Sequence, residues 1–321
     1  MPGQREQDFL TFLRRFRKFT KRLNGLEIGN AQMLKQVVDF GIPAGIFVLM
    51  LIAGTEMAVR DFAQLVKHPR PILLGALGQL VVLPPLSFLV AAAAAVSPFV
   101  ATAILLIALC PGGPISNNYC YLARCNVSLS ATITAVGTLL CLVSIPFWLK
   151  FLSGSSTLDP ALMYLSATKI IAQLIALMIL PLILGMILAR AFPRAIERRN
   201  VVFRLASFVI IVSLLLATVW AVRDQALTLA GDVVLAAASF ILGAMLLGHV
   251  LGYGMKPEER PVLVIESSVR NIGVALIVGR SIFDDLSFAK FVAFLTGYFI
   301  VEVAVIIPYT QFVRARLAGR S

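Results

Sequence analysis

Residues 71–95 read PILLGALGQLVVLPPLSFLVAAAAA, twenty-five positions without one charged side chain. A run of about 20 apolar residues is enough to cross a ~30 Å hydrocarbon core as a helix. Only helices and closed barrels satisfy every backbone group in lipid, and the alternation a barrel strand requires is absent here. Similar runs fill the chain, which is 59% hydrophobic and 14% charged; soluble domains average about 25% charged. The expectation is an all-α integral membrane protein. Nine spans are expected, over residues 38–58, 71–95, 98–123, 127–149, 160–189, 203–221, 232–254, 261–279 and 287–312.

The formal net charge of +12 does not signal nucleic acid, because the basic residues sit between the apolar runs. One set of connections holds Arg60, Lys67, Arg70, Arg124, Arg190, Arg194, Arg198, Arg199, Arg204, Lys256, Arg260, Arg314, Arg316 and Arg320; the opposite set holds Lys150, Arg223, Arg280 and Lys290. The richer side faces the cytoplasm by the positive-inside rule. This places the C-terminus inside a plasma (inner) membrane. Residues 1–36 form a separate basic segment, in which Phe9, Phe12, Leu13, Phe16, Phe19 and Leu23 recur at helical spacing opposite Arg and Lys. That pattern suits a helix lying in the membrane surface, although nine spans put it on the outer side, against the charge rule. The four cysteines, Cys110, Cys120, Cys125 and Cys141, are irregularly spaced and read as buried free thiols.

Two spans are interrupted. After ATAILLIALC comes PGGPISNN, whose two prolines and two glycines are incompatible with a regular helix interior. Near the other end PVLVI meets ESSVRN before IGVALIVG resumes. Each interrupted span leads into a polar turn and one long span. In a membrane such breaks survive only where protein or a cavity surrounds them. Paired interruptions in corresponding halves point to a transporter with internal repeats and a midplane site. Five spans separate the two units, and an odd number inverts one relative to the other.

The interruptions supply Ser116, Asn117 and Asn118 at the first break, and Glu266, Ser267, Ser268, Arg270 and Asn271 at the second; Ser130, Thr132 and Thr134 follow on the next span. Hydroxyl, amide and carboxylate oxygens suit a hard cation such as sodium. The plainer alternative for Ser130 and Thr134 is a hydroxyl bonded back to its own helix. No Ser-His-Asp set, HExxH or nucleotide loop is present, so the chain is not expected to be an enzyme. A channel or sensor on the same scaffold is the competing class.

CPGGPISN followed by YLARCNVSLSATITAV, together with KHPRPILLGALGQLVVLP and ERPVLVIESSVRN, resembles the bile acid–sodium symporter family over about residues 40–312. The resemblance implies a single transporter domain over 37–321. Its core comprises about 71–150 and 232–312, and its panel about 38–58 and 160–221. It implies a small organic anion as substrate, bile-acid-like or a small carboxylate such as a keto acid. Sodium is the implied coupling ion, with no organic cofactor and no obligatory protein partner. The implied first sodium site uses Ser116, Asn117, Ser130, Thr134 and Glu266. The second uses Gln79, Glu266 and backbone carbonyls near Ser267 and Val269, plus a glutamine that is Arg270 here. Asn271 matches a residue facing the substrate groove, and Pro114 and Ile115 stand where the family often has Thr-Ala.

Arg270 therefore has three readings. It can pair with Glu266 one helical turn away, hold the carboxylate of a substrate, or occupy or block the second sodium position. A sodium ion ~4 Å from a guanidinium meets roughly 4 kcal/mol of repulsion at an effective dielectric of about 20. The resulting expectation is coupling to one sodium ion, with proton coupling through Glu266 or uncoupled transport as alternatives.

Overall fold

The computed structural model describes residues 40–57, 69–152, 158–159, 166–194 and 223–319, with scattered positions between 196 and 213. The basic segment 1–36 and most of the expected span 203–221 lie outside the described residues.

The described residues are helical. α1 is Ile42–Glu56, α2 Pro69–Ala93, α3 Pro98–Leu109, α4 Pro114–Ala123 and α5 Val127–Leu152. α6 is Ala167–Ala191, α7 Arg223–Leu251, α8 Arg260–Ser268, α9 Ile272–Ile282 and α10 Asp285–Ala318. Among the described residues, five stretches are long and apolar enough to cross a membrane: α2, α5, α6, Ala230–Leu251 within α7, and α10. The expected third and eighth spans are each split into two half-helices, α3/α4 and α8/α9, and each pair runs into one long helix. The breaks fall within the expected stretches but are shorter, between Leu109 and Pro114 and between Ser268 and Ile272: Ser116, Asn117 and Asn118 lie in α4, and Glu266, Ser267 and Ser268 in α8.

Proline also shapes α2. Pro84 and Pro85 cannot donate to the carbonyls one turn earlier, and the helix widens into a π turn over Gly78–Val82. The carbonyl of Leu80 is taken instead by the indole Nε1 of Trp148, at 2.8 Å. Trp148, near the end of α5, thus closes a gap in a neighbouring helix.

The core is built around α3, which is buried from Val100 to Leu109 and packs with α5, α7, α9 and α10. α1 pairs with α6 through small residues: a Cβ on Gly54 would collide with the Leu182 carbonyl, and one on Gly185 with that of Leu51. Close backbone approach of this kind is how helices associate where apolar burial offers no advantage over lipid. All four cysteines are free and buried, as their spacing suggested.

Candidate functional site

The two breaks touch. Gly112 and Arg270 form an isolated antiparallel backbone bridge, and the Asn271 N–H donates to the Pro111 carbonyl at 3.0 Å. The Gly112 N–H donates to the side-chain oxygen of Gln79 on the π turn of α2, at 2.9 Å. These partners satisfy backbone groups that the breaks leave outside any helix, as buried backbone groups require. Gly112 has to be glycine, because a Cβ there would collide with Oε2 of Glu266.

On one side of this junction lies a cradle of oxygens. Glu266, fully buried near the end of α8, receives the Ser116 hydroxyl at 2.5 Å and the Ser130 hydroxyl at 2.5 Å on Oε1. The Thr134 hydroxyl lies 3.1 Å from both carboxylate oxygens. Ser130 also meets Oδ1 of Asn117 at 2.9 Å, and Ser116 the Gly113 carbonyl at 2.7 Å. Ser130 and Thr134 thus turn away from their own helix, whereas their neighbours Thr132 and Thr138 bond back to the carbonyls of Ser128 and Thr134. Spacing alone did not separate these two uses of a helical hydroxyl; the facing carboxylate does.

The donor count shows what the cradle fits. Three hydroxyl hydrogens, from Ser116, Ser130 and Thr134, face four acceptors: both carboxylate oxygens, the Gly113 carbonyl and Oδ1 of Asn117. A hydroxyl carries one hydrogen and two acceptor lone pairs, so a small cation among these oxygens relieves the excess of acceptors. The set is all oxygen and includes a carboxyl group that, when ionised, suits sodium.

On the other side lies Arg270, 1% exposed. Its Nη1 reaches the Glu266 carbonyl at 3.3 Å, Nη2 that of Ala108 at 3.3 Å, and Nε that of Ile107 at 3.5 Å. The expected pairing with Glu266 is therefore made to the backbone oxygen, and the guanidinium caps the C-terminal ends of α3 and α8. Those ends carry free carbonyls and the negative pole of each half-helix, so a cation there is favoured.

The remaining candidate residues are placed as follows. Gln79 accepts the Gly112 N–H on its side-chain oxygen, while its Nε2 has no hydrogen-bond partner among the described residues. Ser267 is buried, its hydroxyl without a partner among the described residues, and Val269 is buried in the break. Asn271 caps α9 by accepting from the Val274 N–H at 3.2 Å. Pro114 opens α4, and Ile115, partly buried, packs against the core. The sequence reading passed over Glu302. It lies midway along α10, fully buried, with Oε2 3.5 Å from the Arg270 backbone nitrogen and Oε1 without a partner among the described residues. A lone glutamate inside the apolar run FIVEVAVII was the signal that could have found it.

A sequence model of the family described as "Sodium Bile acid symporter family" matches residues 43–231. Among similar proteins, the "Uncharacterized sodium-dependent transporter YocS" of Bacillus subtilis (strain 168) is 24% identical over 252 residues, 75% of this chain and 74% of that protein. The human "Sodium/bile acid cotransporter 4" is 28% identical over 244 residues, 72% of this chain and 53% of its own length. The rice (Oryza sativa subsp. japonica) "Probable sodium/metabolite cotransporter BASS2, chloroplastic" is 31% identical over 128 residues. That match spans 40% of this chain and only 30% of the rice protein.

Proposed function

The chain belongs to the sodium bile acid symporter family, and from that premise we propose that it is a secondary carrier moving an organic anion together with one sodium ion. The observation that carries this reading is the hydroxyl cradle on Glu266, which has more acceptor oxygens than hydrogens. Ser116, Asn117, Ser130, Thr134 and Glu266 hold the ion. The guanidinium of Arg270 stands as a fixed cation at the carbonyls of Ile107, Ala108 and Glu266, in place of a second sodium.

The substrate is an organic anion, of bile-acid type or a small carboxylate; relatives are named for bile acid and for metabolite cotransport. The nine spans, the inverted relation of α3–α5 to α8–α10, and the orientation with the C-terminus in the cytoplasm belong to the same proposal. So does the division into a core and a panel, the panel including the tightly joined α1 and α6. Alternating access follows if the panel rocks against the core, with Asn271, Pro114 and Ile115 beside the groove.

Binding energy from sodium is spent on ordering the junction, because the ion's ligands come from three elements, α4, α5 and α8. Ordered breaks then define the anion's site. A thermal-shift screen of organic anions in sodium and in potassium tests this. Stabilisation by an anion in sodium, absent in potassium, is expected; identical shifts in both salts contradict sodium coupling. Counterflow in proteoliposomes separates a carrier from a channel, since a channel shows none.

A further inference from the structure

Two carboxylates are buried at the junction, and they are treated very differently. Three hydroxyls donate to Glu266 and favour its charged form against the cost of its burial. Among the described residues, Glu302 has a single long hydrogen bond, from the Arg270 backbone N–H, and its Oε1 has no partner. An ionisable residue held inside a membrane span, away from lipid and water, is costly to keep and marks a function.

We propose that Glu302 is a proton-binding group of this carrier, protonated when the cation position at Glu266 is empty and deprotonated when sodium fills it. The proposal rests on the sodium reading above and adds a residue and an ion to it. The charged and titratable groups facing Glu302 are Arg270 from the break, Tyr119 from α4 and Tyr298 one turn back on α10. Cys110, at the end of α3, faces Arg270 and Tyr298 from the far side. The Tyr298 hydroxyl is already committed to the Ser268 carbonyl at 3.0 Å.

A hard cation takes about six oxygen ligands, and among the described residues the unpartnered acceptor found on Glu302 is one carboxylate oxygen, which favours a proton over a second metal ion. A proton needs only that oxygen, and a protonated carboxyl supplies the donor that a dry site otherwise lacks.

Charge balance gives the sense of the coupling. Glu266 and Glu302 carry two negative charges when ionised, and Arg270 carries one positive. One sodium ion neutralises the set. When it leaves, one negative charge is uncompensated in a buried site, where unpaired charge is penalised. Protonating Glu302 restores neutrality for the empty carrier. On reloading, sodium joins the cradle, the O–H bond of Glu302 breaks, and the proton passes to water; no electrons change hands.

The test uses purified full-length protein in weakly buffered detergent solution, with sodium binding followed by calorimetry and proton release by an indicator dye. Wild type is expected to release one proton per sodium bound. Its sodium Kd should rise about tenfold per unit fall in pH where Glu302 is protonated. Glu302→Gln keeps an acceptor for the Arg270 N–H and should release no proton; it should bind sodium more weakly than wild type does at high pH, because the ion's charge is then uncompensated, and with a flat pH profile. Release that persists in Glu302→Gln overturns the proposal, as does sodium binding without release in wild type. Absence of sodium binding in wild type overturns the sodium reading and this one together. A measurement free of substitutions uses dicyclohexylcarbodiimide, which labels protonated carboxyls in apolar surroundings. Label on Glu302 in potassium chloride, suppressed by sodium chloride, is expected; label confined to Glu266 overturns the proposal.

Discussion

The break between α3 and α4 is made of Pro111, Gly112, Gly113 and Pro114 and carries no charge, whereas the break between α8 and α9 holds Arg270 and follows Glu266. The first interrupts its helix by covalent geometry: missing N–H groups and missing Cβ atoms. The second contains no proline or glycine at Val269–Asn271. It stays open because its backbone bonds are taken by partners from elsewhere: Pro111, Glu302 and, for the Glu266 carbonyl, the Arg270 side chain. One break supplies shape and the other supplies charge, and the site exists where they meet. Substitutions at the first should therefore act through fit, and those at the second through ions.

The largest effect should come from Glu266→Gln. Removing the charge from an acceptor of three hydroxyls forfeits charge-assisted bonds of about 1.5–3 kcal/mol each. Sodium-dependent stabilisation should vanish, and uptake should fall by about a hundredfold or more. Next is Gly112→Ala, a change of shape alone. The added methyl meets the Glu266 carboxylate, and overpacking costs about 1–3 kcal/mol. Melting should drop by several degrees, and sodium should no longer restore it. If Gly112→Ala keeps full sodium response, the two breaks are not in the contact described.

Arg270→Gln tests the charged break from the other direction. It removes the fixed cation at the three carbonyls, so sodium dependence should steepen, with a Hill coefficient rising from about one towards two. A smaller effect is expected at Trp148→Phe, which strands the Leu80 carbonyl and should cost about 1 kcal/mol, visible as a lower melting temperature with sodium affinity unchanged.

The smallest effect belongs to Asp284, in the turn before α10. Its carboxylate accepts the Ser287 N–H at 2.8 Å, and that bond holds its pKa below the usual carboxylate value. The stabilisation is present above the ordinary aspartate pKa and is lost as pH falls through the depressed one. Asp284→Ala should cost about 0.5–1 kcal/mol near neutrality, and wild type and variant melting curves should converge in strong acid.

Much of this was legible in the sequence because it rests on covalent geometry. PGGP cannot continue a helix, and long uncharged runs have few places to go but a membrane. Ser116, Ser130, Thr134 and Glu266 were identified together, and the structure does bring them within hydrogen-bonding distance. Partner choice was harder to read. That Arg270 turns to carbonyls instead of the Glu266 carboxylate, and that Gln79 spends its oxygen on Gly112, depends on which helix ends lie nearby in space. Asn271, expected at the substrate groove, has its amide oxygen committed as the cap of α9, a role its position just before IGVALIVG could have suggested. Glu302 was missed because a single carboxylate in a span carries no spacing or motif.

The central claim is that one sodium ion and one guanidinium share the positive charge at the crossing. Counting sodium ions bound per molecule by equilibrium calorimetry tests it most directly. The account predicts one ion for the wild-type chain and two for Arg270→Gln; two ions bound to wild type would contradict it.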